Sequence, residues 1–456
     1  MLKRIALIGA ALVICGSLRA QDVKTAPAAP GDAVMTVDDA VALALKNNEL
    51  VALSESAERK AHAKIHEAAA NALPQVKVSA SFLRQKEVSA SIPTKYDANG
   101  VPIGFATFTL NPATSKTSNA VATQLVDIWG SVRRAKTIAS LSNRIAALSV
   151  LRSKSEVVYQ TRTSFYNVLR AQGAMDVAQA AVTEAEEQLR LADAFVKAGT
   201  SPEFDVMRAK VTLADRQQAL IVAKDSVSLA GAALNNVLGR DVSTPLNLAP
   251  ENGVPTGDVD IAAQTQKALD SRPEVIQAGL GIRANHEAVG IYKAGNLPQV
   301  SLSGVYSYNW TASGLSSEKA NWNYGVNVSW PLWDSGLTKA KVAEAKEDLK
   351  TSELQRDQLL RGVALEVRQW GLRVQETADR FTVGDKSVSV AEEALRLAKV
   401  RYQNGVATQL EVTDAETALT SARFNRINAL YDHLSARAAF DATVMGRVQS
   451  AAGTAQ

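Results

Sequence analysis

Two patterns of apolar residues divide this chain of 456 residues, one with a period near 3.5 and one with a period of 2. The first steps by three and four residues through Met175, Ala178, Val182, Ala185, Leu189, Ala192 and Val196. A strict seven-residue repeat predicts coiled-coil packing, and alternating large residues with alanine lets helices approach closely. Residues 132–198 contain no proline. They are therefore predicted to form one helix about 100 Å long, at ~1.5 Å per residue.

The helical pattern occurs twice, because the two halves of the chain repeat each other. Residues 185–192 (Ala-Glu-Glu-Gln-Leu-Arg-Leu-Ala) return 206 positions later as residues 391–398 (Ala-Glu-Glu-Ala-Leu-Arg-Leu-Ala). Each copy is followed by a glycine, Gly199 or Gly405, which is predicted to end the long helix in a tight turn. Shorter helices are predicted after these turns, over residues 203–238 and 408–445. A repeat of this length exceeds that of solenoids and indicates two fused half-proteins.

The period-2 pattern predicts two strands in each half of the chain. Its apolar members, which alternate with polar residues, are Val76, Val78, Ala80 and Phe82 in the first half and Trp322, Tyr324, Val326, Val328 and Trp330 in the second. This alternation is typical of a sheet with one apolar and one polar face. Polar loops over residues 87–117 and 311–320 are predicted to join the strands of each pair. The predicted fold class is mainly α, with four strands per protomer in a duplicated half-repeat.

The first residues have the features of an export signal. Lys3 and Arg4 precede a short apolar run, residues 5–15, and cleavage is predicted after Ala20. The single cysteine, Cys15, lies in this run and is either removed with the signal or modified by a lipid; Ile14 before it disfavours the lipid. Cleavage would leave no cysteine, which excludes thiol catalysis and cysteine-ligated metal. Residues 21–35 are predicted to be a flexible leader.

Composition and charge exclude several classes of function. The formal charge of +4 falls to +1 without Lys3, Arg4 and Arg19, and no basic block indicates nucleic-acid binding. After the signal, no run of 18 apolar residues predicts a transmembrane helix. His62 and His66 are spaced i, i+4 as a possible metal pair, but without a third ligand a solvated helix face is favoured. No cofactor motif or nucleophile–base pair favours an exported enzyme.

Amphipathic strands in an exported chain have two explanations, a soluble sandwich or an outer-membrane barrel. Aromatic residues in the strand pattern favour the barrel, because such barrels carry aromatic girdles: Tyr306, Tyr308, Trp310, Trp322, Tyr324 and Trp330. Open strand edges are not tolerated in lipid, and four strands are too few to close a transmembrane barrel. The protein must therefore oligomerise through its sheet, and three copies give twelve strands.

Several segments, in their order and spacing, resemble the TolC-like outer-membrane efflux proteins. The resemblance extends over essentially the whole mature chain. The segments are residues 36–41 (Thr-Val-Asp-Asp-Ala-Val), 47–48 (Asn-Asn), 127–130 (Asp-Ile-Trp-Gly), 297–299 (Leu-Pro-Gln), 332–336 (Leu-Trp-Asp-Ser-Gly), 401–405 (Arg-Tyr-Gln-Asn-Gly) and 410–415 (Leu-Glu-Val-Thr-Asp-Ala).

This resemblance implies a homotrimer in the outer membrane of a Gram-negative bacterium. It implies a twelve-stranded β-barrel, from residues 73–127 and 298–332, that continues into a long coiled-coil α-helical barrel in the periplasm. The helical barrel and its equatorial linkers would comprise residues 36–72, 128–297 and 333–446, with residues 447–456 as a tail. Such a channel is not an enzyme and has no cofactor. Its partners are the lipid bilayer, a periplasmic adaptor and an inner-membrane pump, in a tripartite efflux or type I secretion system.

The resemblance also implies residues that close the periplasmic end. Glu411 and Asp414, spaced i, i+3 on one helix face, would line the constriction; the alternative is an ordinary solvated acidic face. Asp205 and Tyr402 would form a latch between the halves; the alternative is a helix-start carboxylate and a heptad residue. Ala407 stands where some members have a basic latch residue.

The turns at Gly199 and Gly405 are the expected adaptor-docking points. The repeat symmetry breaks nearby, with Tyr402 opposite Val196 and Asp414 opposite Arg208. The gate is therefore expected there. An exported coiled-coil structural or adhesin protein without a pore is the rival interpretation, and the four amphipathic strands disfavour it.

Overall fold

The structure is a computed structural model that describes residues 34–251, 260–311 and 318–444. The predicted signal peptide, Cys15, most of the leader and the tail lie outside the described residues. The helices are α1 (Val37–Asn47), α2 (Glu49–Ala70), α3 (Ser131–Lys197), α4 (Glu203–Val237), α5 (Ile261–Ser271), α6 (Pro273–Lys293), α7 (Leu337–Gln403) and α8 (Gln409–Val444). The strands are β1 (Gln75–Arg84), β2 (Val88–Tyr96), β3 (Pro102–Asn111), β4 (Thr114–Val126), β5 (Gln299–Asn309) and β6 (Ala320–Ser329).

The two long helices confirm the prediction from the repeat. Helices α3 and α7 each contain 67 residues. Each begins just after a strand, where an aspartate accepts hydrogen bonds from the first backbone N–H groups. Asp127 caps α3 through the N–H of Val132 (3.0 Å), and Asp334 caps α7 through the N–H of Thr338 (2.8 Å). These contacts satisfy donors that have no partner inside the helix.

The first helical segment, within the expected helical region of residues 36–72, is interrupted at Asn48. Thr36 and Asp39 cap α1 reciprocally. Asn48 then ends α1 and starts α2: its Oδ1 accepts from the N–H of Leu50 (2.9 Å), and its Nδ2 donates to the carbonyl of Val237 (2.9 Å). The break therefore joins the N-terminal helices to the end of α4.

Long antiparallel helix hairpins, α3 with α4 and α7 with α8, make up most of the molecule. The largest core cluster joins α1, α3, α4 and α8 around Phe165, Leu234 and Leu434. A second cluster joins α5, α7 and α8 around Val367 and Phe440. In the first half the predicted seam is buried at Ala178, Val182, Ala185 and Ala192. The seam packs α3 against its neighbours, as the seven-residue repeat requires.

Four strands form one antiparallel sheet in the order β1-β4-β5-β6. The register aligns Val78 with Ala120, Ala120 with Tyr306, and Tyr306 with Trp322. Because side chains alternate along a strand, this register places the predicted apolar residues of β1, β5 and β6 on one face, with Ala120 of β4 between them. That face is open to the surroundings, with Val78 75% and Tyr324 81% exposed. The alternating polar residues of β1 and β6 lie on the opposite face, which also carries Val121 and Val305 of the central strands.

Residues 87–117, predicted to be a polar loop, instead contain a hairpin of β2 and β3 in a separate sheet. Asp97 orders its turn by accepting hydrogen bonds from the N–H groups of Asn99 (2.9 Å) and Val101 (2.7 Å). Pro93 and Pro102 made this segment resemble a loop. Both strands of a two-stranded sheet are edge strands, however, and an edge strand tolerates a residue without an N–H donor.

Candidate functional site: the tip of the helix hairpins

Both long helices end in the same type of turn at the end of the molecule farthest from the sheet. Gly199 and Gly405 have φ of 75° and 73°. The N–H of Thr200 donates to the carbonyl of Phe195, and the N–H of Val406 donates to the carbonyl of Arg401, both over 3.0 Å. These are the bonds of a Schellman motif, which needs a residue in the left-handed region, where glycine carries no steric penalty. The two turns thus repeat the half-protein symmetry.

The helices that follow these turns start differently. Helix α4 follows Pro202 without a side-chain cap, whereas Thr408 and Glu411 bond reciprocally at the start of α8, each over 3.4 Å. Glu411 also lies 3.5 Å from a guanidinium nitrogen of Arg401. Within this single chain, the Glu411 carboxylate therefore supports the helix start and has a cationic neighbour.

Asp414 lies one turn further along the same exposed face of α8. In the described part of the chain it forms no ion pair or hydrogen bond. Of the two predicted constriction residues, Asp414 therefore presents the free carboxylate. Their spacing places both on one side of the helix.

The aromatic ring of Tyr402 is buried at the tip, 5.5 Å from the ring of Phe195 in an edge-to-face arrangement. Burial raises the pKa of its hydroxyl, and the negative charge of Asp205 raises it further. Ser201 lies beside the hydroxyl, but no group among the described residues meets the geometry of a hydrogen bond to it. The structure thus brings Tyr402 and Asp205 near each other without a direct bond.

A different residue makes the direct link between the two halves at this point. The side-chain amide of Gln409, which is buried, donates to the backbone carbonyl of Asp205 over 3.3 Å. This bond joins the starts of α8 and α4. No pattern in the sequence marks Gln409, because its partner is a backbone atom 204 residues away.

A buried polar cluster lies on the seam above the tip, and it was also not predicted from the sequence. The Glu416 carboxylate is 6% exposed, accepts a hydrogen bond from the Gln188 amide (3.1 Å) and lies 3.8 Å from Lys399. Arg423 of α8 extends the cluster to Glu184 of α3 (3.3 Å) and Glu392 of α7 (3.1 Å). The seam therefore holds the two halves together through polar as well as apolar contacts.

The comparison of the two repeat copies contains one sequence signal for this cluster. Gln188 occupies the position of Ala394 in the second copy, and Glu416 occupies that of Lys210 in the first. These departures from repeat symmetry mark a place where side chains of the two halves form a buried hydrogen bond.

We expect Glu416→Gln to raise the thermal unfolding midpoint at pH 7. Burial raises the pKa of Glu416, an effect that Glu184 strengthens and that Gln188, Lys399 and Arg216 oppose. The folded state therefore keeps this proton longer than the unfolded chain, so stability falls as the pH rises above the ordinary value of 4.5. Replacing the carboxylate by a neutral amide removes this loss of stability at higher pH. The amide also keeps a hydrogen-bond partner for Gln188.

The measurement is circular dichroism melting of wild type and Glu416→Gln from pH 4 to pH 8. The two should melt alike at the acidic end and separate as the pH rises. Glu187→Gln, on the exposed face beside Gln188, is the control and should follow wild type. A Glu416→Gln midpoint below wild type at pH 7 would show that the ionised carboxylate is the stabilising form.

The remaining sequence candidates do not add a second site. His62 and His66 are exposed on α2 with ring centroids 5.2 Å apart. No group of three potential metal ligands occurs among the residues that the structure describes. Nor does any described helix have the length and apolarity needed to cross a membrane.

Comparison with protein families gives a match over both halves of the chain. The family model described as Outer membrane efflux protein matches residues 40–240 and 265–444. The gap between the two ranges contains the segment that links the half-repeats. Each half-repeat, with its two-strand and long-helix pattern, therefore corresponds to one matched range.

Individual relatives are similar to this chain at low identity. Outer membrane protein TolC of Vibrio cholerae is 23% identical over 288 residues, covering 61% of this chain and 65% of that protein. Solvent efflux pump outer membrane protein SrpC of Pseudomonas putida is 27% identical over 338 residues, covering 68% of this chain and 66% of that protein. These matches span just under two thirds of the relatives' length.

Solved structures resemble nearly the whole chain. A structure of CusC superposes with a TM-score of 0.76 at 17% identity, covering 90% of this chain and 92% of that chain. The outer membrane protein VceC from Vibrio cholerae superposes with a TM-score of 0.72 at 20% identity, covering 90% and 95%. At this identity the likeness establishes the fold: long helix hairpins joined to a short stretch of strands.

Proposed function

Because the chain belongs to the outer membrane efflux protein family, we propose that it is the exit duct of a tripartite efflux or type I secretion system. The observation that carries this proposal is the four-stranded sheet with an open apolar face, joined directly to helices of 67 residues. At ~1.5 Å per residue, such helices extend about 100 Å from the sheet. The family consists of outer-membrane channel proteins, and we infer that this chain catalyses no reaction.

The open edges of the sheet support a trimer. Strands β1 and β6 lie at the two edges, and an unpaired edge in lipid leaves backbone N–H and C=O groups without partners. The four strands alternate in direction, so β6 of one copy meets β1 of the next in antiparallel orientation. Three copies then close a barrel of twelve strands. Its apolar face would meet lipid, and its polar face, with Ser303 and Asn323, would line the lumen.

The turns at Gly199 and Gly405 are the proposed docking points for a periplasmic adaptor. They lie at the ends of both hairpins and have the same backbone geometry. An adaptor could therefore contact six similar turns around a trimer. The adaptor would in turn connect the duct to an inner-membrane pump, which supplies the energy and selects the cargo. The family relatives carry names referring to solvents and to cations, so cargo does not follow from membership.

We propose that Glu411 and Asp414 line the constriction and that Asp205 and Tyr402 act as a latch. The supporting observations are the exposed carboxylate of Asp414 and the closeness of Asp205 to the buried Tyr402 hydroxyl. Six carboxylates around a narrow opening would favour cations and repel anions. The Arg401 guanidinium beside Glu411 makes Asp414 the stronger contributor.

The double variant Glu411→Gln, Asp414→Asn is expected to reduce cation selectivity in planar bilayers. Reversal potentials under a salt gradient measure this effect. Tyr402→Phe is the matched variant for the latch: it should raise conductance and leave selectivity unchanged. Unchanged reversal potentials in the double variant would exclude the carboxylate ring, and unchanged conductance in Tyr402→Phe would exclude the latch.

The channel function itself is tested by cell fractionation and by conductance of the purified protein. We expect recovery in the outer membrane, a trimer by mass, and steady conductance in planar bilayers. Recovery in the soluble periplasm without conductance would instead favour a coiled-coil structural or adhesin protein. A deletion strain tested on antibiotic, detergent and metal panels would then identify the cargo.

A further inference from the structure

A cationic pocket lies where the strands meet the helices, and none of the functions above uses it. It is an open cavity of about 290 Å³ between the start of α3 and the end of α6. Its polar and aromatic lining consists of Trp129, Arg134, His286 and Lys293, and the remaining lining residues are Val289, Gly290, Ala294 and Leu297. We call this cavity the boundary pocket.

The topology of the sheet keeps the boundary pocket open in a trimer. Helix α3 continues from β4, and α6 leads into β5, and these two strands are the central pair of the sheet. Neighbouring copies would pair through the edge strands β1 and β6. The pocket therefore lies below the middle of each protomer's sheet, away from both intermolecular contacts.

The surroundings of the pocket are those of a membrane boundary. Trp129 is 44% exposed, and its indole N–H donates to the carbonyl of Pro298 over 2.6 Å. Nearby at the end of β6, Trp330 and Trp333 are also exposed. Tryptophan is enriched at the interface between lipid tails and water. The aromatic residues therefore mark the level of the lipid headgroups.

The pocket carries an excess of positive charge. Arg134 pairs with Glu287 over 2.7 Å, which leaves other guanidinium donors available, since a guanidinium has five N–H groups. The guanidinium rests against α6 at Gly290, where an added Cβ would lie 2.7 Å from Cζ. Lys293 is exposed and forms no ion pair with any residue that the structure describes. The nearby Asp127 is occupied in capping α3.

We propose that the boundary pocket binds the phosphate headgroup of an anionic phospholipid from the periplasmic leaflet. The proposal rests on the outer-membrane duct proposed above, which sets the orientation of the sheet. Lys293 and Arg134 contact the phosphate, His286 supplies a further polar contact, and the Trp129 ring packs beside the glycerol and upper acyl chains. Such a lipid would fix the depth of the barrel at the point where the helices leave the membrane.

The test is native mass spectrometry of the purified full-length protein in a neutral detergent, with phosphatidylglycerol or phosphatidylcholine added. We expect wild type to retain phosphatidylglycerol in preference, with up to three tightly held molecules per trimer. Lys293→Gln should weaken that binding about fivefold, the effect of one juxtamembrane charge. Arg283→Gln removes one positive charge from the same helix about 15 Å deeper in the periplasm, at ~1.5 Å per residue, and should bind like wild type.

Equal retention of the two lipids by wild type would overturn the proposal. So would an equal loss of binding in Lys293→Gln and Arg283→Gln, which would indicate a general charge effect. Failure of the duct would appear separately, as a monomeric mass or as no wild-type conductance in neutral-lipid bilayers. Lipid adducts on the monomer or the trimer would still measure lipid binding at the boundary pocket.

Discussion

Val326→Arg is expected to reduce the trimer recovered from the outer membrane by more than about tenfold. Val326 lies near the middle of β6 on the apolar face and is 64% exposed in the single chain. An arginine facing lipid at the midplane costs about 2–4 kcal/mol, and the trimer would carry three of them. Each 1.4 kcal/mol corresponds to about a factor of ten in the equilibrium between inserted and uninserted protein.

The matched control is Asn323→Arg, which introduces the same residue in the same strand. Asn323 pairs with Val305 in the register and lies on the opposite, polar face. It would face water in the lumen, so trimer yield should remain close to that of wild type. The measurement is the amount of trimer, identified by its dissociation on heating, on gels of outer-membrane fractions. Equal losses in both variants would contradict the assignment of the apolar face to lipid.

Gly239→Ala is expected to lower the stability of the helical region by about 3 kcal/mol. Gly239 follows α4 with φ of 66°, a left-handed conformation that costs other residues roughly 1–2 kcal/mol. A Cβ at this position would also lie 2.9 Å from the backbone carbonyl oxygen of Asn47 at the end of α1. Backbone cannot rotate away as a side chain can, so α1 or α4 must shift and disturb the largest core cluster.

Gly100→Ala separates the conformational cost from the steric cost. Gly100 lies in the turn between β2 and β3 with φ of 76°, and no atom lies within 4 Å of an added Cβ. It should therefore lose only the roughly 1–2 kcal/mol of the left-handed conformation. Melting followed at the helical circular dichroism band measures both variants. A Gly239→Ala midpoint equal to that of Gly100→Ala would show that α1 adapts freely.

The local periodicity of the sequence predicted most of the fold. Helices α3 and α7 begin and end close to the predicted residues, since proline-free heptads and terminal glycines are local signals. The four strands of the sheet follow from the period-2 alternation. Helix α5, the break at Asn48 and the β2–β3 hairpin were missed, because proline content and helical spacing do not reveal which partner a short segment will find.

The candidate site was predicted less completely than the fold. The turns at Gly199 and Gly405 are where the repeat placed them, and Tyr402 and Asp205 do lie near each other. The residues that make direct bonds between the halves are others: Gln409 at the tip, and Gln188 with Glu416 on the seam. Neutral amides and a single glutamate have no distinctive pattern in a chain rich in such residues.

The type and length of each long element, the duplication and the apolar face of the sheet follow from the amino-acid sequence alone. These features depend on residues within a few turns or one strand of each other. The local sequence is therefore enough to predict them. The three-dimensional packing is needed to show that Glu416 is buried against Gln188, 228 residues away, and that Glu411 supports a helix start beside Arg401. Such pairings depend on how the two hairpins lie against each other, and that packing is set by the sum of many apolar contacts rather than by any one motif.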